Sequence, residues 1–305
     1  MEIVQTDINY TYDVFRRNLI NLKDRYPFLE IGSIGTSVLG KYIWGIKIGN
    51  GSKKIFYNGA IHANEWITAV LLMKFLENYC NAYVNNTQIY GVNAIDLFNT
   101  VSLYIVPMVN PDGVDLVTGG LSNVENEYEN FQNIAQEFPN IPFPSGWKAN
   151  ANGVDLNLQF PAEWNMAKQI KYAQGYNRPA PRDFVGYGPL TEPEALAIYN
   201  FTQYHKFELV IAYHTQGQEI YWQFLDYTPA ESITIGEQFS SASGYSLADT
   251  PYASSFAGYK DWFIQEFRRP GFTIEAGLGT NPLPISQFPK IYADNEGILV
   301  LGMLQ

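Results

Sequence analysis

Short, nearly continuous hydrophobic runs alternate along the chain with longer segments in which hydrophobic residues return every three or four positions. The first pattern is typical of strands buried on both faces of a sheet, and the second is typical of helices. The predicted strands are residues 29–34, 42–48, 55–61, 101–109, 207–213 and 272–276. The predicted helices are residues 7–24, 65–84, 191–204, 232–243, 259–267 and 285–304. This alternation predicts an α/β fold, with one domain over residues 1–305, a mostly parallel twisted sheet and helices on both faces.

Polar residues at the ends of these segments predict how several elements begin and stop. Asp7 is the predicted N-cap of the first helix, because its side chain can accept hydrogen bonds from exposed backbone N–H groups. Thr191 and Glu194 have the spacing of a capping box at the start of their helix. The tetrapeptide Asn-Pro-Asp-Gly at 110–113 predicts a turn that ends the strand before it.

One segment interrupts the alternation of strands and helices. Residues 114–147 are rich in asparagine, glutamate and tyrosine, and then in proline, with the run Phe-Pro-Asn-Ile-Pro-Phe-Pro at 138–144. This composition predicts a long surface excursion within the domain. Excursions of that length in compact domains are often binding loops.

The composition is acidic and rich in hydrophobic residues. The chain has 305 residues and a formal net charge of −11, and 46% of its residues are hydrophobic, which is enough for a large core. The negative charge argues against nucleic acid and against an anionic membrane surface as partners. It fits a cationic or zwitterionic ligand, although acidity is also an ordinary route to solubility.

Cysteine content and the N-terminal residues bear on the compartment. Cys80 is the only cysteine, so no intrachain disulfide can form, and its hydrophobic helical surroundings predict a core position. The first seven residues lack the charged and hydrophobic regions of a signal peptide, and no run of about 18 hydrophobic residues occurs. We therefore expect a cytoplasmic protein without a membrane span, while its oligomeric state stays open.

Candidate catalytic residues are concentrated where strands end. His62 and Glu65 form a His-x-x-Glu sequence between the strand 55–61 and a long hydrophobic helix, and His214 follows another hydrophobic strand. The C-terminal ends of parallel strands share one edge of a sheet, so these side chains can meet at a single ion. Two imidazoles and a carboxylate suit catalytic zinc, which keeps one coordination position for water. The sequence therefore predicts one zinc ion per chain.

A second carboxylate is predicted to act beside the zinc ion. Glu275 lies in the hydrophobic strand 272–276. Burial raises the pKa of a carboxylate and nearby zinc lowers it, which can leave a general base that works near neutral pH. The alternative is a structural ion pair with Arg268 or Arg269.

Asp155 is predicted to support the metal site, whereas the third histidine of the chain is predicted to lie outside it. Asp155, within Gly-Val-Asp-Leu-Asn at 153–157, is a candidate to orient His62, because a metal-binding histidine usually donates its other N–H to a carboxylate. The alternative is an ordinary turn aspartate. The remaining histidine, His205, lies at a helix end before Lys206, and we expect it to interact with the helix C-terminal dipole.

These motifs, in this order, resemble the zinc metallocarboxypeptidases from about residue 8 to the C-terminus. The matching strings are His-x-x-Glu at 62–65, Asn-Pro-Asp-Gly at 110–113, Trp-Lys-Ala-Asn at 147–150, Gly-Val-Asp-Leu-Asn at 153–157, His-Thr-Gln-Gly at 214–217 and Thr-x-Glu at 273–275. They are similar to a bacterial branch that hydrolyses the bond between γ-D-glutamate and the L-centre of a diamino acid in peptidoglycan stem peptides. The resemblance implies a carboxypeptidase-like sheet of about eight strands.

The resemblance also implies roles for individual residues. It implies the zinc ligands and the general base named above. Asn157 resembles the asparagine that contacts the substrate carboxylate. Tyr252 resembles the mobile tyrosine that closes over the substrate.

Two departures from the family pattern affect the expected specificity and rate. Leu158 stands where family carboxypeptidases have an arginine that binds the free C-terminal carboxylate, and leucine cannot form that ion pair. The family has an arginine that stabilises the oxyanion shortly before the Gly-Val-Asp string, where this chain has Ala-Asn at 151–152. The candidates to replace that arginine are Lys148, Arg178 and Arg182.

Three functions therefore stay open on the sequence. The first is a zinc peptidase that hydrolyses stem peptides or muropeptides. The second is a zinc carboxypeptidase with another side-chain preference. The third is a metal-binding relative that has lost catalysis together with the oxyanion arginine. Serine-hydrolase elbows and phosphate-binding glycine loops do not occur in the sequence.

Overall fold

The computed structural model describes residues 2–121 and 125–305, and one large sheet forms the centre of this part of the chain. The strands are β1 (Glu30–Thr36), β2 (Tyr42–Ile48), β3 (Lys53–Asn58), β4 (Gln88–Ile89), β5 (Val92–Asn93), β6 (Val101–Val106), β7 (Leu209–His214), β8 (Glu219–Tyr221), β9 (Ser246–Ala248) and β10 (Gly271–Glu275). The helices are α1 (Tyr12–Arg25), α2 (Ile67–Val84), α3 (Ala94–Thr100), α4 (Pro111–Thr118), α5 (Glu125–Gln136), α6 (Trp164–Ala173), α7 (Pro193–His205), α8 (Ser232–Ser243), α9 (Tyr259–Phe267) and α10 (Phe288–Leu304).

The centre of the sheet is parallel and several outer pairs are antiparallel. Among the described residues the strand order is β1–β2–β6–β3–β7–β10–β8–β9, and β4 and β5 form a separate hairpin. Strand β3 runs parallel to β6 and β7, and β7 runs parallel to β10. The C-terminal ends of β3, β7 and β10 therefore lie at one edge, which is where open α/β sheets bind ligands. The predicted α/β class with a mixed, mostly parallel sheet is confirmed.

Helices cover both faces of the sheet, as two neighbouring residues of β3 illustrate. Tyr57 packs in the larger core with α2 and α10, and its hydroxyl donates to the carbonyl of Leu299, 2.8 Å away. Phe56 points to the opposite face, where its ring lies 5.5 Å from Phe201 of α7 and 6.0 Å from Tyr259 of α9. Because successive strand side chains point to opposite faces, a strand buried on both sides reads as a continuous hydrophobic run.

Two predicted helix caps are wrong. Helix α1 begins at Tyr12, and Thr11 rather than Asp7 accepts the capping bond, from the N–H of Val14. Helix α7 begins at Pro193, and tertiary contacts occupy both members of the predicted capping box. The Thr191 hydroxyl lies 3.1 Å from Gln159 Oε1, and the Glu194 carboxylate accepts from the backbone N–H of Val38 at 3.0 Å. At α7, long-range partners therefore replaced the local ones, whereas at α1 a nearer residue provides the cap.

The predicted Asn-Pro-Asp-Gly turn is the start of a helix. The Asn110 side chain accepts from the N–H of Gly113 at 3.0 Å, and Pro111 occupies the first position of α4. Proline suits that position because the first helical N–H groups have no partner within the helix. The strand before it stops at Val106, three residues earlier than predicted.

The segment predicted as a surface excursion contains buried structure. Its first residues belong to α4, α5 follows, and residues 122–124 lie outside the described residues. Phe131 and Trp147 are fully buried, with ring centroids 5.1 Å apart, in a small core that also contains Leu116. Ile141 and Ser145 line a cavity at the edge of the sheet where the parallel strands end. This segment is therefore partly a wall of the cavity.

Cys80 lies in the core on α2 and is fully buried, as predicted. Within residues 2–121 and 125–305, no helix is long and hydrophobic enough to cross a bilayer.

Candidate active site

Three predicted metal ligands lie at the C-terminal edge of the parallel strands. His62 follows β3 through a short loop, and Glu65 ends the 3₁₀ turn that comes next. His214 is the last residue of β7 and pairs in register with Glu275, the last residue of β10. Because β7 lies between β3 and β10, residues far apart in the sequence reach one point.

The three side chains converge closely. Glu65 Oε1 lies 3.0 Å from His62 Nδ1, and Glu65 Oε2 lies 2.9 Å from His214 Nδ1. The two Nδ1 atoms are 3.2 Å apart. All three residues are buried, and one ligand atom from each lies within 4.8 Å of the others. Three ligand atoms that lie this close together could hold a metal ion.

The donor set fits zinc. Tetrahedral zinc with bonds of about 2.0–2.1 Å to nitrogen and oxygen separates its ligand atoms by roughly 3.3 Å. The observed 3.2 Å between the histidine Nδ1 atoms agrees with that geometry. Two imidazoles and one carboxylate also leave a fourth position open, as catalytic zinc sites require.

Asp155 contacts the far side of the His62 ring. Asp155 Oδ1 lies 2.9 Å from His62 Nε2, which directs the opposite ring nitrogen, Nδ1, toward the cluster. Burial alone would raise the pKa of Asp155, but the neighbouring His62 and Lys148 hold that pKa below its ordinary value. The carboxylate therefore stays ionised and can fix the ring orientation.

Glu275 faces the same cavity, which has a volume of about 1090 Å³. Burial of the carboxylate, with a further contribution from the negative charge of Glu65, raises the pKa of Glu275 to about 8. The alternative ion pair is not formed. Arg268 stacks over the Tyr227 ring at 3.7 Å, and Arg269 donates to backbone carbonyls. A carboxylate that is free of such a pair can accept and release a proton.

His205 is the last residue of α7 and does not line the cavity. Its ring lies 4.4 Å from the Tyr104 ring and 5.4 Å from the Phe207 ring. Burial and the nearby Lys54 lower the pKa of His205, which favours the uncharged ring at this helix end.

The three candidates for the missing arginine differ in position. Lys148 lines the cavity, and its Nζ lies 2.8 Å from Glu65 Oε1. Arg182 also lines the cavity and pairs with Asp183 at 2.7 Å. Arg178 pairs with Glu137 at the surface and is not part of the cavity wall. Only the first two lie where they could contact a substrate.

Of the positions discussed for substrate binding, some line the cavity and one does not. Asn157 and Leu158 line the cavity, and Asn157 Oδ1 accepts from the backbone N–H of Tyr259 at 3.0 Å, which directs the amide nitrogen away from that contact. Tyr252 is 65% exposed, packs against Phe256 and does not line the cavity.

Four buried or partly buried charges in the cavity wall were missed from the sequence. They are Lys171, Asp183, Lys260 and Asp261. Lys171 Nζ lies 2.5 Å from Asp183 Oδ1, and Lys260 Nζ lies 2.7 Å from Asp261 Oδ1. Adjacent opposite charges such as Arg-Asp and Lys-Asp were the only sequence signal, and such dipeptides are common on protein surfaces.

A buried His-Glu-His cluster beside a further carboxylate, at the C-terminal edge of parallel strands, is an arrangement that a catalytic metal ion could use. The pattern of the zinc carboxypeptidase family matches residues 16–296. Because that match covers most of the chain, the protein belongs to the zinc carboxypeptidase family and is a hydrolase of the zinc metallopeptidase class.

Comparison with individual proteins agrees with this family. The chain is 47% identical over 304 residues to gamma-D-glutamyl-L-diamino acid endopeptidase 1 of Lysinibacillus sphaericus, covering 99% of this chain and 74% of that protein. In fold it is similar to bovine thrombin-activatable fibrinolysis inhibitor (TM-score 0.73, 17% identity, covering 98% and 97% of the two chains). It is equally similar to carboxypeptidase A of Helicoverpa armigera (TM-score 0.73, 18% identity, covering 98% and 73%).

Proposed function

We propose that this protein is a zinc peptidase that hydrolyses peptidoglycan stem peptides at the bond between γ-D-glutamate and the L-centre of a diamino acid. The observation that carries the proposal is the meeting of His62, Glu65 and His214 in one cavity with Glu275. The name of the Lysinibacillus relative, which aligns with nearly the whole chain, supports the choice of bond.

In this proposal the two histidines bind zinc through Nδ1 and Glu65 binds it through its carboxylate, while Asp155 keeps the His62 ring in place. Zinc, when bound, supplies Lewis acidity to the scissile carbonyl and lowers the pKa of a water molecule. Glu275 takes the proton from that water and delivers it to the leaving amine, as a carboxylate with a raised pKa can do in both directions.

Substrate binding is proposed for three further residues. Asn157 offers its amide nitrogen to the cavity, since its oxygen is occupied by a backbone contact. Leu158 fills the place of the arginine that binds a C-terminal carboxylate in family carboxypeptidases, and this favours a substrate held by other groups. Tyr252 would have to move toward the cavity to cover the substrate, since its ring is now exposed.

Lys148 is the proposed replacement for the oxyanion arginine, because its ammonium group lies beside the metal-binding cluster. Replacing Lys148 with glutamine is expected to lower kcat by roughly 10²–10³-fold, the usual effect of losing one oxyanion donor. Lys148→Arg should keep much of the rate, since the positive charge remains. Steady-state kinetics with zinc analysis of each variant measures this effect. A glutamine variant with the wild-type kcat would exclude the role.

A panel of peptides tests the proposed function itself. We expect the zinc-loaded protein to release diaminopimelate from L-Ala-γ-D-Glu-diaminopimelate, as seen by mass spectrometry, and to leave α-linked peptides with ordinary C-terminal residues intact. Preferred cleavage of the α-linked peptides would instead identify a carboxypeptidase of other specificity. Bound zinc without turnover of any peptide would identify a metal-binding relative that lacks catalysis.

A further inference from the structure

Arg182 lies in a segment that is attached directly to the active site. The backbone N–H groups of Lys148 and Ala149 both donate to the carbonyl of Pro181, at 2.8 and 3.0 Å. On the other side, the N–H of Asp183 donates to Asp155 Oδ2 at 3.2 Å. Arg182 is therefore fixed between the loop that carries the proposed oxyanion cation and the carboxylate that orients His62.

The guanidinium group of Arg182 is held from one side only. Its Nε donates to Asp183 Oδ2 at 2.7 Å, and Lys171 holds the other oxygen of that carboxylate at 2.5 Å. The two terminal Nη atoms have no hydrogen-bond partner within residues 2–121 and 125–305, and the residue lines the cavity. A guanidinium fixed through Nε with free Nη groups is preorganised to bind a carboxylate.

The order of groups along the sheet edge indicates which part of a substrate would meet Arg182. Glu275, on β10, delivers the proton to the leaving amine in the proposed mechanism, so the leaving group lies toward β10. His62 and Glu65 lie two strands away, after β3, where Lys148 contacts Glu65 and Asp155 contacts His62. Backbone bonds from Lys148 and Asp183 hold Arg182 beside these residues, and the acyl part of the substrate is assigned to this end of the cavity.

A γ-linked glutamyl residue differs from an α-linked one by a feature that an arginine can recognise. The γ-carbonyl is the bond to be cleaved, so the α-carboxylate of the same residue stays free, a few bonds from the reacting carbon. Burying that charge without a partner would be costly, and a bidentate arginine satisfies both of its oxygens.

We propose that Arg182, positioned by Asp183 and Lys171, binds the free α-carboxylate of the γ-linked glutamyl residue and thereby determines specificity on the acyl side. This inference rests on the proposed function. It predicts that amidation of that α-carboxylate, which removes the charge and one acceptor oxygen, makes a peptide a poor substrate.

The test uses two substrates and four proteins. The substrates are L-Ala-γ-D-Glu-diaminopimelate and the same peptide with the glutamyl α-carboxylate converted to a carboxamide. The proteins are wild type, Arg182→Gln, Arg182→Lys and the control Arg178→Gln, which changes a nearby arginine outside the cavity. The readout is the ratio of kcat/KM for the two peptides, with zinc content and thermal unfolding measured for each protein.

Wild type and R178Q are expected to prefer the free carboxylate by roughly 10- to 100-fold, the usual effect of a hydrogen bond to a charged group. In R182Q the ratio should fall toward one. The ratio for R182K should lie between those of wild type and R182Q, because lysine keeps the positive charge but cannot form the bidentate contact. A wild-type ratio near one, or an unchanged ratio in R182Q, overturns the inference and leaves the proposed function standing. An equal loss of kcat/KM on both peptides in R182Q also overturns the inference, because the ratio is then unchanged. If the zinc-loaded wild type cleaves neither peptide, the proposed function falls and the inference falls with it.

Discussion

Replacing Glu275 with glutamine is expected to lower kcat on the stem peptide by roughly 10²–10⁴-fold, the range for loss of a general acid–base group. Glutamine has nearly the same shape but cannot accept a proton. Glu275 does not belong to the cluster of possible metal ligands, so the variant should still bind about one zinc ion per chain. Kinetics and metal analysis on the same preparation test both expectations together.

The matched control is Glu219→Gln. Glu219 pairs with Glu275 across β8 and β10, so it is a neighbouring carboxylate in the same sheet, but it does not line the cavity. Tyr221 donates to it at 2.6 Å, so the Glu219 carboxylate already has a partner within the sheet. We expect E219Q to stay within about tenfold of the wild-type rate, in contrast to the larger loss for general-base removal. Equal activity of wild type and E275Q would remove Glu275 from the mechanism.

Replacing His214 with alanine is expected to abolish both stoichiometric zinc binding and turnover. Catalytic zinc needs three protein ligands, and His214 is the one that comes from β7. A ligand that binds only the folded state stabilises it, so zinc should raise the Tm of the wild type and not that of H214A. Metal analysis, turnover and thermal unfolding with and without added zinc measure the three effects.

His205→Ala provides the control for that experiment, because it removes a histidine that lies outside the site. The H205A variant should keep zinc and activity, although the loss of aromatic packing will lower its stability somewhat. The proposed metal site would be wrong if H214A retained full zinc content and the zinc-dependent rise in Tm.

Much of the site was predictable because its parts are encoded locally. A hydrophobic run followed by His-x-x-Glu and a second hydrophobic segment indicates a buried strand with two polar side chains in the connection after it. A histidine and a glutamate at the ends of two other hydrophobic runs then follow the rule that parallel strands end at one edge. The resemblance to the family supplied the order of the motifs and so the identity of the partners.

Two of the predictions that failed share one physical cause. The sequences around Asn110 and Glu194 are each compatible with two local structures, and contacts with distant residues determine which one forms. Asn-Pro-Asp-Gly is compatible with a turn or with a helix start, and the helix was chosen where α4 packs against the turn after His62. Glu194 has the position to complete a capping box, but its carboxylate instead accepts a hydrogen bond from the backbone N–H of Val38 in a distant loop.

The sequence by itself determined the α/β class, the hydrophobic strands and the identities of the residues that meet at the strand ends, because spacing and periodicity are properties of short segments. Only the tertiary structure decided which cations face the cavity. Lys148 and Arg182 are 34 residues apart and Arg178 is closer to Arg182 in the sequence, yet backbone bonds to Pro181 place Lys148 beside Arg182 while Arg178 pairs with Glu137 at the surface. Contacts between distant segments set these positions, and no local pattern contains that information.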